Sequence, residues 1–142
     1  MTENAVILQY IADQAADSND KLIAPMASLQ RYHQLELVNY IATELHKGFS
    51  PLFSPLRPDK YRKIVIKCLI TKFSYMENLL VKRKFISDEH FTIADAYLFT
   101  IYHWATLVNI DLSQYQHLTQ YVEEKISQPK SVQEALTTEG LI

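Results

Sequence analysis

The side chains best placed to do chemistry in this sequence are the adjacent His46 and Lys47, just ahead of Gly48. An imidazole that titrates near neutrality and a cation stand together where a helical pattern ends, beside the rigid, proline-bearing segment 50–55. That pairing can hold an anion or a thiolate. It also has a plainer use, because cations offset the negative end of a helix dipole, and the residues taken alone favour that use. His33, His90, His103 and His117 have no partners at metal-ligand spacing, so no metal is expected. His103 falls in an apolar helix and reads as a hydrogen-bonded core or interface histidine. Cys68, flanked by Ile66, Leu69 and Ile70, reads as a buried structural thiol, since reactive cysteines need a partly exposed electropositive setting.

The element that must position these groups is residues 91–108. Thr92 and Asp95 have capping-box spacing, and from Ile93 to Val108 only Asp95, Thr100, His103 and Thr106 interrupt an apolar run. A helix apolar on nearly every face is expected at the centre of a bundle. It is too short to span a membrane, which takes about 20 predominantly apolar residues. Around it, residues 2–15 form a helical pattern with Val6, Ile7, Tyr10 and Ile11 on one side, and the polar run 16–21 reads as a linker. A second helix is expected from residue 25 or 26 to 49. Its stripe of Leu35, Val38, Ala42, Leu45 and Phe49 is apolar; a second stripe, Tyr32, Glu36, Asn39, Thr43 and His46, reads as a solvated side. Gly48 and the prolines after it should end that helix.

A third helix is expected over 58–84, opened by Pro58, with Tyr61, Ile64, Val65, Cys68, Leu69, Phe73 and Met76 on its apolar side. Shorter helical segments follow to Pro129 and over 131–136. No strand pattern, repeat or low-complexity tract interrupts this series, so the expected fold class is all-α, a bundle of five or six helices around a buried central helix.

Composition agrees with a globular chain. Of 142 residues 48% are hydrophobic and 21% charged, the net charge is -2, and only 2 glycines and 5 prolines occur. The bases on the third helix are spread out in a net acidic chain without a docking motif, so no nucleic-acid partner is expected. With one cysteine and no basic-then-apolar leader, a reducing cytoplasm is the expected location.

Three stretches carry more than this: residues 42–53 (ATELHKGFSPLF), 91–99 (FTIADAYLF) and 129–136 (PKSVQEAL). In this order and spacing they resemble the bacterial, beta-class glutathione S-transferases, proteins with a thioredoxin-like domain followed by a helical domain. The resemblance implies that residues 1–16 are the last helix of the thioredoxin-like domain, 17–24 the linker and 25–142 the helical domain. It implies glutathione as co-substrate, a small hydrophobic electrophile, and a homodimer or a separate thioredoxin-like partner. Glu3 matches the acid that holds the γ-glutamyl amine, and His46 and Lys47 match the pair near the sulfur. Asn39 and Glu44 match positions with polar contacts to glutathione, and Trp104 the wall of the hydrophobic pocket. The family's early strands, catalytic cysteine and cis-proline loop have no counterpart in these residues, so the chain alone is not expected to conjugate glutathione.

Overall fold

A computed structural model describes residues 1–15, 21–87 and 89–142. Six helical rods form, and no extended strand occurs among the described residues, in agreement with the expected all-α class. The first rod is α1 (Asn4–Gln14). The second begins as α2 (Leu29–Tyr40), widens into a π-helical turn (Ile41–His46), and closes through the single turn α3 (Lys47–Phe49) and a 3-10 turn (Ser50–Phe53). Then come α4 (Asp59–Leu80), α5 (Ile93–Leu107), α6 (Gln116–Tyr121) running into a second π turn (Val122–Ile126), and α7 (Lys130–Thr138).

The start of α5 fixes the centre. Thr92 and Asp95 close the capping box, and Asp95, wholly buried, collects donors from three directions. Its Oδ2 accepts from the Thr92 backbone N–H and hydroxyl, each at 2.8 Å, and its Oδ1 accepts from the Ile86 N–H at 3.0 Å and from the Tyr121 hydroxyl. One carboxylate thereby joins the α4–α5 connection, the first turn of α5 and the end of α6. Burial pushes the Asp95 carboxyl up, and the hydrogen bonds from Tyr121, Thr92 and Ile86 pull it part of the way back.

From this start Ile93, Ala94, Leu98, Ile101 and Ala105 run into a core that includes Phe49, Phe73, Met76 and Leu118, all fully or almost fully buried. The expectation of an all-round buried helix needs one correction. Ala96, Phe99, His103 and Trp104 are only half-buried and Leu107 is 65% exposed, so one face of α5 is left partly open.

The tie between α1 and α2 is polar. Arg31, itself buried, donates to both carboxylate oxygens of Asp13 at 2.8 and 2.9 Å and to the Ala24 carbonyl, while the Gln34 side chain accepts from the Ala24 N–H at 2.7 Å. Of the expected linker 17–24, residues 17–20 lie outside the described residues; at its end Ile23 and Ala24 are buried. α1 turns Ala5, Leu8 and Ala12 inward, and of the expected stripe Val6, Tyr10 and Ile11 are about half exposed while Ile7 is half-buried. Small alanines let α1 lie close against α5, and a stripe chosen by side-chain size misses them.

Other boundaries also shift. α2 starts at Leu29 because Ser28 caps it, its hydroxyl accepting from the Arg31 N–H at 3.2 Å. Pro58 stands just before α4 in extended backbone, and α4 ends at Leu80. Gly48 does not stop its rod, which continues to Phe53. A Cβ at Gly48 would stand 2.8 Å from Leu69 Cδ2, so glycine is what allows α3 to lie against α4. Tyr61, Ile64 and Cys68 sit on the outer side of α4, and Cys68 is an exposed thiol, where a buried one was expected. Val65, Leu69, Phe73, Met76 and Leu80 form the inner stripe, four residues or three apart, and the outer positions lie about a quarter turn away.

Candidate functional site

The second rod changes its winding where His46 lies. Between Ile41 and His46 the backbone takes the π spacing, with the Lys47 N–H bonding to the Ala42 carbonyl five residues back. This inserts a residue relative to a regular helix, and such wide turns frequently occur at functional sites. Leu45 and Ile41 point into the core and are fully buried, while the neighbouring His46 is half-buried on the side facing α5.

There it meets two aromatic residues of α5. His46 Nδ1 shares a hydrogen bond with the Tyr97 hydroxyl at 2.6 Å, and the His46 ring stands edge-on to Trp104 with centroids 4.7 Å apart. Tyr97 and Trp104 are seven residues apart, which places them on one side of α5. Phe53 and Phe49 complete the wall, their ring centroids 5.2 and 6.0 Å from Trp104. Since Tyr97 occupies Nδ1, the imidazole chemistry left for a bound molecule is at Nε2.

The start of α1 approaches the same place. Burial pushes the Tyr97 phenol up, a hydrogen bond with the Asn4 side chain pulls it back, and the charge of Glu3 pushes it up again. Glu3 is exposed and has a positive φ of 67°, a strained backbone for a residue other than glycine. Lys47 is exposed beside His46. Asn39 lies on the exposed side of α2, where its carbonyl accepts from the Thr43 hydroxyl at 3.0 Å. Glu44 is turned to α4, its carboxylate 2.8 Å from Lys72 Nζ. The geometry therefore joins His46 to Trp104 directly and draws Glu3 near through Tyr97, while Asn39 and Glu44 have their nearest polar partners elsewhere.

Tyr97, Asn4 and Phe53 were not singled out by the sequence as site residues. The seven-residue spacing of Tyr97 and Trp104 is a signal that could have found the first. His46 and Tyr97 are 51 positions apart, and nothing local pairs them.

The open face of α5 forms a second feature, an apolar groove of about 650 Å³ against α7 and the C-terminal residues. Phe99, Leu107, Val132, Leu136 and Ile142 line it, and Trp104 belongs to its wall as well as to the His46 cluster. His103 also lines it, half-buried and edge-on to Phe99 at 4.5 Å; its Nε2 has no hydrogen-bond partner among the described residues, contrary to the expected bonded histidine. Burial holds the His103 imidazole below its ordinary value. Among the described residues there is no cluster of three or more metal-ligating side chains, and no helix is long and apolar enough to cross a membrane.

Comparison with known proteins matches residues 40–129 to the family model for the glutathione S-transferase C-terminal domain. Glutathione S-transferase GstA of Escherichia coli O157:H7 is 43% identical over 141 residues, a span that covers 99% of this chain and 69% of GstA. A sphingomonad glutathione S-transferase solved in complex with glutathione superposes with a TM-score of 0.92 at 34% identity, over 100% of this chain and 69% of that one. The bacterial beta-class glutathione S-transferase of Sphingomonas chungbukensis gives the same values, a TM-score of 0.92 and 34% identity over 100% and 69% of the two chains. A matched span this long, carrying the His46–Trp104 cluster on helices of the same arrangement, places the chain in the glutathione S-transferase family, among its bacterial beta-class members.

Proposed function

We propose that this chain provides the helical side of a glutathione transferase site, with His46 and Lys47 facing the glutathione sulfur and Trp104 walling the pocket for a hydrophobic electrophile. The observation that carries this reading is the seating of His46 between Tyr97 and Trp104. A half-buried imidazole with its Nδ1 engaged keeps Nε2 for a bound molecule, and the exposed ammonium of Lys47 adds positive charge; together they favour a thiolate over a thiol. The aromatic wall of Trp104, Phe53 and Phe49 suits an apolar or aromatic electrophile. Glu3 is the partner for the γ-glutamyl amine, and Asn39 and Glu44 contribute polar contacts to the tripeptide.

In this reading residues 1–16 belong to a thioredoxin-like domain by origin, 17–24 join it to the helical domain 25–142, and the chain works with further thioredoxin-like structure, in a homodimer or with a separate partner. A flexible charged tripeptide held by side chains at one end alone binds weakly. The chain by itself is thus expected to show no conjugation of glutathione to chlorodinitrobenzene above background and only weak calorimetric binding, abolished by His46→Ala. A rate well above background that His46→Ala removes would overturn the inactive part of the proposal. Glutathione binding unaffected by His46→Ala would overturn the assignment of the site.

The α5–α7 groove favours a second reading, a surface for a hydrophobic ligand or protein, because Leu107, Leu141 and Ile142 at it are each 60% exposed or more. A monomer by light scattering that binds no hydrophobic dye would exclude it.

A further inference from the structure

His46 can serve the proposed site only if the wide turn that carries it keeps its shape, and one residue of α4 is placed to do this. A π-helical turn departs from the regular ladder, so that carbonyl groups around it are held less well by the amides of their own helix. The Lys72 ammonium donates to the Glu44 carbonyl at 3.2 Å, within the turn, and pairs with the Glu44 carboxylate at 2.8 Å. The link is reciprocal, because the Tyr40 hydroxyl, one residue ahead of the turn, donates to the Lys72 carbonyl at 3.0 Å. Lys72 is thus bonded at its backbone to the residue just ahead of the wide turn and at its side chain to the middle of it. Glu44 is two residues before His46, and the two side chains leave the helix on different sides, Glu44 toward α4 and His46 toward Tyr97 and Trp104.

The geometry points to Lys72 as a positioning residue for His46: its ammonium, bonded to the Glu44 carbonyl, holds the π turn in the form that sets the imidazole against Tyr97 and Trp104. A regular α-helical winding would rotate the residues beyond the turn by about 100° for the residue removed, and His46 would leave α5. The ion pair is partly exposed and adds little by itself; the bond to the backbone carbonyl is what distinguishes Lys72 from the other lysines of α4. The inference rests on the proposed role of His46 but concerns its placement, which can be read without any ligand.

The test is made on the full chain by nuclear magnetic resonance and by emission of Trp104, the one tryptophan. Lys72→Met should keep the helical circular dichroism while the cross-peaks between the His46 ring and the Trp104 indole are lost, the Trp104 emission shifts, and the Lys47 amide, which bonds the Ala42 carbonyl, exchanges faster. Lys72→Arg should restore all three. Glu44→Gln, which removes the ion pair and leaves the carbonyl bond, should match the parent in these three ligand-free readouts, the cross-peaks, the Trp104 emission and the Lys47 amide exchange. A Lys72→Met chain with the parent's cross-peaks and amide exchange overturns the inference, and so does equal loss in Glu44→Gln, since the ion pair would then be the brace. Should Lys72→Met fail to fold, Lys72→Gln is read by the same criteria. Glutathione titration of the parent is a separate arm: absence of binding there defeats the proposed site, while the cross-peaks alone decide whether Lys72 sets the position of His46.

Discussion

Asp95→Ala removes one carboxylate and leaves four donors facing an enclosed space. The backbone N–H groups of Thr92 and Ile86, at 2.8 and 3.0 Å, cannot turn to other acceptors, whereas the Thr92 and Tyr121 hydroxyls can rotate, Thr92 toward Ser87 at 2.7 Å. A buried donor left without an acceptor costs about 1–3 kcal/mol. The two fixed amides therefore set the loss, and with partial repayment by the hydroxyls the expected destabilisation is about 4 kcal/mol. For a chain of this size that corresponds to a fall in Tm of roughly 12 °C.

Asp95→Asn tests whether accepting capacity is the point, because its amide group would present hydrogens to one of the two donor sets; it should come within about 1 kcal/mol of Asp95→Ala. Tyr121→Phe removes one of the four donors and leaves the carboxylate bonded, so about 1 kcal/mol is expected. Guanidinium unfolding followed by circular dichroism measures all three, with the slope checked for constancy. A cost for Asp95→Ala below about 1.5 kcal/mol, with an unchanged slope, would refute the view that this carboxylate joins three elements.

Three further outcomes follow from named contacts. Glu77 of α4 accepts from the His117 and Leu118 N–H groups at 3.2 and 2.8 Å, capping α6 from another helix. Burial pushes its carboxyl up, but these bonds and the His117 side chain bring it below the ordinary 4.5, so its stabilisation is full above that value and lost as pH falls through the folded-state value; Glu77→Gln should flatten this part of the acid-unfolding curve. Gly48→Val should cost about 2 kcal/mol by overpacking, and less in a Leu69→Ala background, as read by denaturant midpoints. His46→Ala should move Trp104 emission to longer wavelength with little change in Tm, because it opens one side of the indole to water.

The bundle was legible in the sequence where large apolar residues repeat at helical spacing and where a cap adjoins them. The start of α5 satisfied both conditions, with Thr92, Asp95 and a long apolar run. α1 failed because its buried face is made of Ala5, Leu8 and Ala12, so the larger Val6, Tyr10 and Ile11 pointed to the wrong side. Arg31 and Gln34 were not read as interior residues because their burial depends on partners far along the chain, the Asp13 carboxylate and the backbone of Ala24. Cys68 misled for a related reason: Ile66 and Ile70 flank it, yet the helix turns the position itself to the surface.

His46, Lys47 and Trp104 drew attention by residue type or by resemblance, but their relation to one another required the fold. The π turn is decisive here, since a sequence read at 3.6 residues per turn grouped His46 with Tyr32, Glu36, Asn39 and Thr43 on a solvated stripe. Tyr32, Glu36, Asn39 and Thr43 are indeed exposed, while His46 is half-buried and bonded to Tyr97. The wide turn spans Ile41–His46, and within it the stripe passes from the exposed Thr43 to the half-buried His46 that faces α5. A helix can thus turn its first part to solvent and its last part to a neighbouring helix without a break in the chain. α5 divides its residues differently, by face: Asp95, Leu98 and Ile101 serve the fold, and Tyr97 and Trp104, seven residues apart, receive the histidine. Where one helix changes its surroundings along its length and the other around its circumference, the two meet at a single ring, that of His46 between Tyr97 and Trp104.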